Sequence, residues 1–141
     1  MKHIEFDILD FDEQGGNSIM ICKIEKLSFQ NEEAWMIKIP EKTVPYFVVQ
    51  LAALHLGVIG TTKLVDKASD YTINIYQNTI GCKSEYKICL NQEEHSISQT
   101  SLEAIATLMT RIAINGWSDT AHIDIDITEY IYLCFTIEPP L

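Results

Sequence analysis

Residues 122–127 read His-Ile-Asp-Ile-Asp-Ile and alternate strictly between polar and apolar side chains. This alternation has the two-residue period of a β-strand, so it predicts the isoleucines on one face and the aspartates on the other. Residues 130–137, Tyr-Ile-Tyr-Leu-Cys-Phe-Thr-Ile, follow after Thr128 and Glu129 and have the same period. The two segments together predict a β-hairpin.

The length of the hairpin loop decides which side chains share a face. A two-residue loop would place Asp124 and Asp126 among the large apolar side chains of the second strand, where carboxylates are costly to bury. A three-residue loop, or a bulge, instead places both aspartates beside Tyr130 and Tyr132 and turns the isoleucines toward the core. We expect the second register, which predicts a face where aspartates and tyrosines lie side by side.

Further strands and two helices are predicted along the chain. Pro45 fits the first turn of a helix that ends near Gly57, and Thr100 with Glu103 forms a capping-box pattern before a helix that ends near Gly116. Strands are predicted over residues 3–11, 18–29, 34–39, 71–76 and 85–90, besides the hairpin. This order predicts an α+β fold with a mostly antiparallel sheet of about six to seven strands and two main helices. The length fits one domain over residues 1–141.

The net charge of the chain limits which classes of partner are expected. The chain has 20 acidic and 10 basic residues, a formal net charge of −10 at pH 7, and its lysines are spread singly. Nucleic acid and anionic membranes are therefore not expected partners, whereas a basic protein would be attracted. Acidic residues interrupt the N-terminal segment where a signal peptide needs an apolar stretch, and no window is long enough for a membrane span. We expect a cytoplasmic protein.

No catalytic signature is present, and we predict neither a catalytic residue nor a cofactor. His122, Asp124 and Asp126 are the strongest metal candidates, because alternate residues of a strand can converge on one ion and the acidic strand over residues 3–7 could complete the shell. The same pattern is typical of any half-exposed strand in an acidic protein. We therefore predict no metal ligand.

The whole chain resembles the immunity proteins of bacterial contact-dependent growth inhibition and related polymorphic toxin systems in its size, its acidity and its lack of catalytic signatures. The resemblance implies a non-enzymatic protein that binds a cognate basic toxin domain, often a nuclease, and neutralises it by covering its active or substrate-binding surface. From the hairpin face and the acidic N-terminal segment we expect these partner-binding residues: Asp124, Asp126, Tyr130 and Tyr132, and secondarily Glu5, Asp7, Asp10, Asp12 and Glu13.

Two other classes of function remain open at this point. An acidic secretion chaperone could hold a client protein on the apolar first helix or on an exposed strand edge, although such chaperones typically begin with a helix and this chain begins with a predicted strand. A small enzyme could use an unrecognised carboxylate or metal site. The oligomeric state is not indicated by the sequence.

Overall fold

The computed structural model describes residues 18–80, 83–118 and 121–139. The strand predicted over residues 3–11 and the turn after it lie outside this part. The described elements, in chain order, are β1 (Ser18–Ile21), β2 (Lys23–Phe29), β3 (Glu32–Pro40), a 3-10 turn (Glu41–Thr43), α1 (Val44–His55), β4 (Thr61–Val65), β5 (Thr72–Ile80), β6 (Lys83–Leu90), β7 (Glu93–Ile97), α2 (Gln99–Asn115), β8 (His122–Asp126) and β9 (Ile131–Glu138).

The described strands form two mixed sheets. One has the strand order β1-β4-β5-β6-β7 and the other has the order β2-β3-β9-β8. The pairs β1–β4 and β3–β9 are parallel, and the other neighbouring pairs are antiparallel. The predicted α+β class, the two helices and the mostly antiparallel pairing are confirmed. The described residues, however, form nine strands in two sheets, whereas the sequence predicts one sheet of about six to seven strands.

The run over residues 18–29, predicted as one strand, changes sheet at Cys22. The backbone N–H of Cys22 donates to the carbonyl of Val65 at 3.0 Å, beside the β1–β4 pair. Two residues later the N–H of Ile24 donates to Asp66 Oδ2 at 2.8 Å, and β2 pairs with β3. Met20, Cys22 and Ile24 are all buried, so the alternation continues unbroken across the change of sheet. The continuous backbone through Cys22 and these two hydrogen bonds therefore connect the two sheets.

Both sheets and both helices contribute to one hydrophobic core. Phe47 on α1 packs against Phe135 on β9 with ring centroids 6.1 Å apart, which connects a helix to the four-stranded sheet. Ile73 and Ile75 on β5 and Ile88 on β6 are fully buried and form the inner face of the five-stranded sheet. Each such side chain contributes roughly 1.5–3 kcal/mol by its removal from water.

The helices begin and end at recognisable cap residues. Helix α1 has Pro45 in its first turn and is followed by Gly57, which adopts a positive φ of 75°. Helix α2 begins after Ser98, whose side chain accepts a hydrogen bond from the N–H of Ser101 at 3.0 Å. The predicted capping role of Thr100 is therefore wrong, because Thr100 lies inside the helix and the extended backbone of Ser98 provides the cap.

The helical spacing of apolar residues in α2 predicts one buried stripe: Leu102, Ile105, Ala106, Met109, Ile112 and Ala113. Leu102, Ile105, Met109 and Ile112 are buried as predicted, whereas Ala106 is half-buried and Ala113 is exposed. Helix α1 buries a broader surface but leaves Val49 exposed, and Leu56 just beyond it is exposed as well. No helix within the described ranges combines the length and the apolarity needed to cross a membrane.

Candidate protein-binding face

The β8–β9 hairpin adopts the register that places the aspartates beside the tyrosines. Asp124 lies opposite Cys134, and Asp126 lies opposite Tyr132. Beyond the last strand pair, the N–H of Ile127 donates to the carbonyl of Ile131 at 2.9 Å, which closes a loop of the three residues 128–130. The three-residue loop and the register predicted from it are confirmed.

Hydrogen bonds hold this loop in place from two directions. The hydroxyl of Thr128 accepts from the N–H groups of Tyr130 and Ile131, both at 3.1 Å. The carbonyl of Tyr130 accepts from the N–H of Glu33 on β3 at 2.7 Å. The backbone of Tyr130 is therefore fixed, while 55% of the residue's surface remains exposed. A partner that covers Tyr130 would have to order only its side chain, because the backbone is already held.

The opposite side of the hairpin anchors it to the core. Ile125, Leu133 and Phe135 are buried, and Ile123 is half-buried against the same cluster. These side chains alternate with Asp124 and Asp126, which are exposed. The alternation orients the carboxylates away from the core, as the sequence pattern predicts.

The strand pairings extend this surface across the whole four-stranded sheet. We call the side of this sheet that carries Asp124 and Asp126 the outer face. Each row across the outer face contains one residue from each strand, in the order β8, β9, β3 and β2. The rows are His122-Thr136-Lys38-Lys23, Asp124-Cys134-Met36-Glu25 and Asp126-Tyr132-Ala34-Leu27. Beyond the last row lie Glu32, which is paired with Phe29, and Tyr130 in the loop.

Charge and aromatic surface are concentrated toward one end of the outer face. Lys23 and Lys38 share the row at the other end, and Lys23 is neutralised by an ion pair with Glu138 at 2.6 Å. The end near the β8–β9 loop carries Asp126 and Glu32 together with exposed aromatic side chains. Phe29 and Tyr130 each expose 55% of their surface there. This end therefore combines negative charge with apolar contact area.

Cys134 occupies the middle of the outer face but is not a reactive thiol. It is only 7% exposed. Burial, and then the hydrogen bond and the negative charge of Asp124, raise the pKa of the Cys134 thiol to about 11. The thiol is therefore protonated at neutral pH, and nucleophilic chemistry is not expected at this position.

The sequence-predicted residues are only partly brought together. Asp124, Asp126, Tyr130 and Tyr132 share the outer face, with Asp124 and Asp126 exposed and Tyr132 half-buried. The secondary candidates lie outside the described residues: Glu5, Asp7, Asp10, Asp12 and Glu13. In the part of the chain that is described, no group of three or more His, Cys, Asp or Glu side chains is arranged to hold a metal ion.

Sequence reasoning missed the contribution of β2 and β3 to this face. Glu25, Glu32 and Phe29 join it because β3 pairs in parallel with β9, although the two strands are far apart in the chain. The alternation in residues 23–29 indicates that Glu25 and Phe29 point to the same side. No local signal indicates which other strand that side will lie beside.

Comparison with known proteins adds no relative. No protein-family model, no curated protein and no solved structure matches this chain. The outer face is therefore interpreted from its own geometry and charge.

Proposed function

We propose that this protein is an immunity protein that binds a cognate basic toxin domain and neutralises it by covering the toxin's active or substrate-binding surface. The observation that supports the proposal most directly is the hairpin register, which combines Asp124 and Asp126 with Tyr130 and Tyr132 on the outer face, where both aspartates and Tyr130 are exposed. The binding would occur through the outer face of the four-stranded sheet. In this proposal the protein inhibits by occlusion and needs no catalytic residue of its own.

Electrostatics favours a basic partner. The chain has a net charge of −10, and Asp124, Asp126, Glu25 and Glu32 add carboxylates to the outer face. A nuclease must present a basic surface to its polyanionic substrate, so an acidic sheet face would be attracted to that surface and would compete with the substrate. A nuclease domain is therefore the toxin class that this face would suit.

The aromatic side chains would supply contact area at the centre of such an interface. Tyr130 and Phe29 are each 55% exposed, and Tyr132, which is half-buried, lies opposite Asp126 in the sheet. Tyrosine is enriched among the few residues that dominate interface energies, because it buries a large area and keeps a hydroxyl for hydrogen bonding. We expect Tyr130 and Tyr132 to contribute more to affinity than the surrounding charges.

Charge reversal on the outer face tests the proposal. The partner to be used is the toxin domain of any large secreted protein encoded directly upstream of this gene or, failing that, the protein that co-purifies from the native host. We expect the double variant Asp124→Lys/Asp126→Lys to bind this domain about ten- to a hundredfold more weakly than the unmodified protein in surface plasmon resonance. Loss of protection from the toxin in a growth assay should accompany the loss of affinity.

A matched control separates the outer face from the overall charge. Glu85→Lys/Glu93→Lys makes the same change in net charge on β6 and β7 of the other sheet, where both side chains are exposed. This control should lose much less affinity than the Asp124/Asp126 variant. Equal affinity for all three proteins, with unchanged thermal unfolding, would remove the outer face from the interface.

A further inference from the structure

A cavity of about 260 Å³ lies between α1 and α2, away from the outer face. Its apolar lining comes from Val48, Leu51, Ala52 and Leu54 on α1 and from Leu102 and Ala106 on α2. Ligand sites in proteins typically enclose roughly 300–1,000 Å³. The cavity therefore matches a small ligand with one short apolar chain or one ring.

Two hydrogen-bonded pairs give this apolar cavity a polar edge. His55 Nδ1 lies 3.1 Å from the hydroxyl of Tyr86, and Gln99 Nε2 donates to Glu103 Oε1 at 3.1 Å. Glu103 is the one carboxylate among the described residues that line the cavity. Because each carboxylate oxygen has two lone pairs, the Glu103 side chain can accept a further donor while it keeps the bond from Gln99.

We infer that this cavity binds a small amphiphilic cation, namely a primary ammonium group carried on a short apolar chain or ring. The apolar part would displace water from Leu51, Leu54 and Leu102, and the ammonium group would donate to the carboxylate of Glu103. An anionic ligand would instead be repelled by Glu103 and by the net charge of −10. Charge complementarity thus selects the cation over an acid of the same shape.

This site is separate from the proposed toxin-binding face. The helices pack on the core side of the four-stranded sheet, as the contact between Phe47 and Phe135 shows, whereas Asp124 and Asp126 point away from the core. A bound cation would therefore leave the outer face accessible. The inference does not depend on the identity of the toxin.

Three six-carbon probes with different head groups test the inference: hexylamine, hexan-1-ol and hexanoate. Each is titrated into the full-length protein and followed by amide chemical shifts in two-dimensional NMR. We expect hexylamine to shift the amides of Ala52 and Ala106 and to bind about fivefold more tightly than hexan-1-ol, because a partly exposed ion pair contributes up to about 1 kcal/mol. Hexanoate should bind most weakly of the three.

Substitutions then assign the two parts of the ligand. Glu103→Gln should lower the affinity for hexylamine to that for hexan-1-ol and leave hexan-1-ol binding unchanged. Ala52→Leu adds volume at an exposed helical position that lines the cavity, and it should weaken the binding of all three probes. Glu129→Gln in the β8–β9 loop removes the same charge at a distance and should change none of the affinities.

Three outcomes would overturn the inference. Equal binding of hexylamine and hexanoate, or a preference for hexylamine that survives Glu103→Gln, would each show that the carboxylate does not select the ligand. The third is a concentration-dependent shift of the Ala52 and Ala106 amides without any probe. That result would show that a second copy of the chain covers the cavity.

Discussion

Asp124 on β8 lies directly opposite Cys134 on β9, so the carboxylate and the thiol are cross-strand neighbours on the outer face. Burial contributes most to the raised pKa of this thiol, about 11, and Asp124 adds to it by its hydrogen bond and its negative charge. The same pair thus connects the exposed acidic surface with the buried centre of the sheet. It also provides a chemical readout for the outer face that does not require the partner.

Replacing Asp124 with Asn should make Cys134 more reactive. Loss of the negative charge lowers the pKa of the thiol, and the thiolate is the reactive form. We expect iodoacetamide at pH 8 to modify Cys134 severalfold faster in Asp124→Asn than in the unmodified protein, although burial keeps both rates slow. Peptide mass spectrometry measures the rate at each cysteine separately.

Cys22 serves as the internal reference for this measurement. Burial, and then the charge of Asp66, raise the pKa of the Cys22 thiol to about 12, and neither cause involves Asp124. The rate at Cys22 should therefore stay constant. Equal acceleration of both thiols would indicate general loosening of the fold, and an unchanged rate at Cys134 would show that the carboxylate does not influence the thiol.

The N-terminal cap of α2 should depend on Ser98 and not on Thr100. Ser98→Ala removes the acceptor for the N–H of Ser101 and should lower the free energy of unfolding by about 1 kcal/mol. Thr100→Ala also removes a hydroxyl, two residues later and inside the exposed first turn, and should alter the free energy of unfolding by less than about 0.5 kcal/mol. Urea unfolding monitored by circular dichroism distinguishes the two. A larger loss in Thr100→Ala than in Ser98→Ala would contradict the observed cap.

The same residues show why the start of α2 was only partly predictable. A capping box is recognised from a hydroxyl residue three places before a glutamate, and in residues 98–103 only Thr100 has that spacing, to Glu103. The choice between Ser98 and Thr100 depends on which backbone is extended, and Ser98 follows β7 directly with ψ of 153°. That information lies in the strand before the helix. The apolar stripe of α2 was predictable because it depends only on helical periodicity.

The hairpin register was predictable for a different reason. In the β8–β9 pair, a shift by one residue would place Asp124 and Asp126 in the core, so the cost of burying carboxylates excludes all but one arrangement. No such penalty identifies the neighbours of β3. Its parallel pairing with β9 joins segments far apart in the chain, and both possible neighbours of a strand present the same backbone groups.

The change of sheet at Cys22 could not be predicted from the sequence, for a related reason. Met20, Cys22 and Ile24 are all buried, so the side-chain pattern is the same whether residues 18–29 form one strand or two. What changes is the acceptor of the backbone N–H groups. The N–H of Cys22 donates to the carbonyl of Val65, whereas the N–H of Ile24 donates to the side chain of Asp66. Asp66 is thus the residue that marks the point where the chain leaves one sheet for the other.

Asp66 should make the fold sensitive to acid. Its carboxylate accepts hydrogen bonds from the N–H groups of Ile24 at 2.8 Å and Ala68 at 2.9 Å, and these bonds lower the pKa of Asp66 below 3.8. A lowered pKa in the folded state means that the carboxylate stabilises the fold above pH 3.8. This contribution is lost as the pH falls below 3.8 and through the lower pKa of the folded protein.

We therefore expect Asp66→Asn to unfold at a lower urea concentration than the unmodified protein at pH 7, and the difference to shrink as the pH approaches 3. Asp70→Asn is the matched control, since Asp70 lies in the same turn and is exposed with a positive φ of 62° that Asn also tolerates. The difference in unfolding midpoint between Asp70→Asn and the unmodified protein should stay constant across this pH range. A difference between Asp66→Asn and the unmodified protein that stays constant with pH would show that the carboxylate charge is not involved.

Aspartates and tyrosines on the outer face should affect different steps of partner binding. Exposed charges act over about 8 Å at physiological ionic strength and steer the encounter, whereas Tyr130 and Tyr132 act only after contact. Asp124→Asn/Asp126→Asn should therefore slow association with the toxin domain and reduce its dependence on salt. Tyr130→Ala should leave association unchanged and accelerate dissociation by about tenfold, which corresponds to about 1.4 kcal/mol.

Stopped-flow measurements between low and high salt separate the two rates. Tyr76→Ala, on the outward side of β5 in the other sheet, is the control for the loss of an aromatic side chain and should change neither rate. An association rate of the unmodified protein that does not fall with salt would exclude steering by the outer face. Faster dissociation in Tyr76→Ala than in Tyr130→Ala would place the interface on the five-stranded sheet.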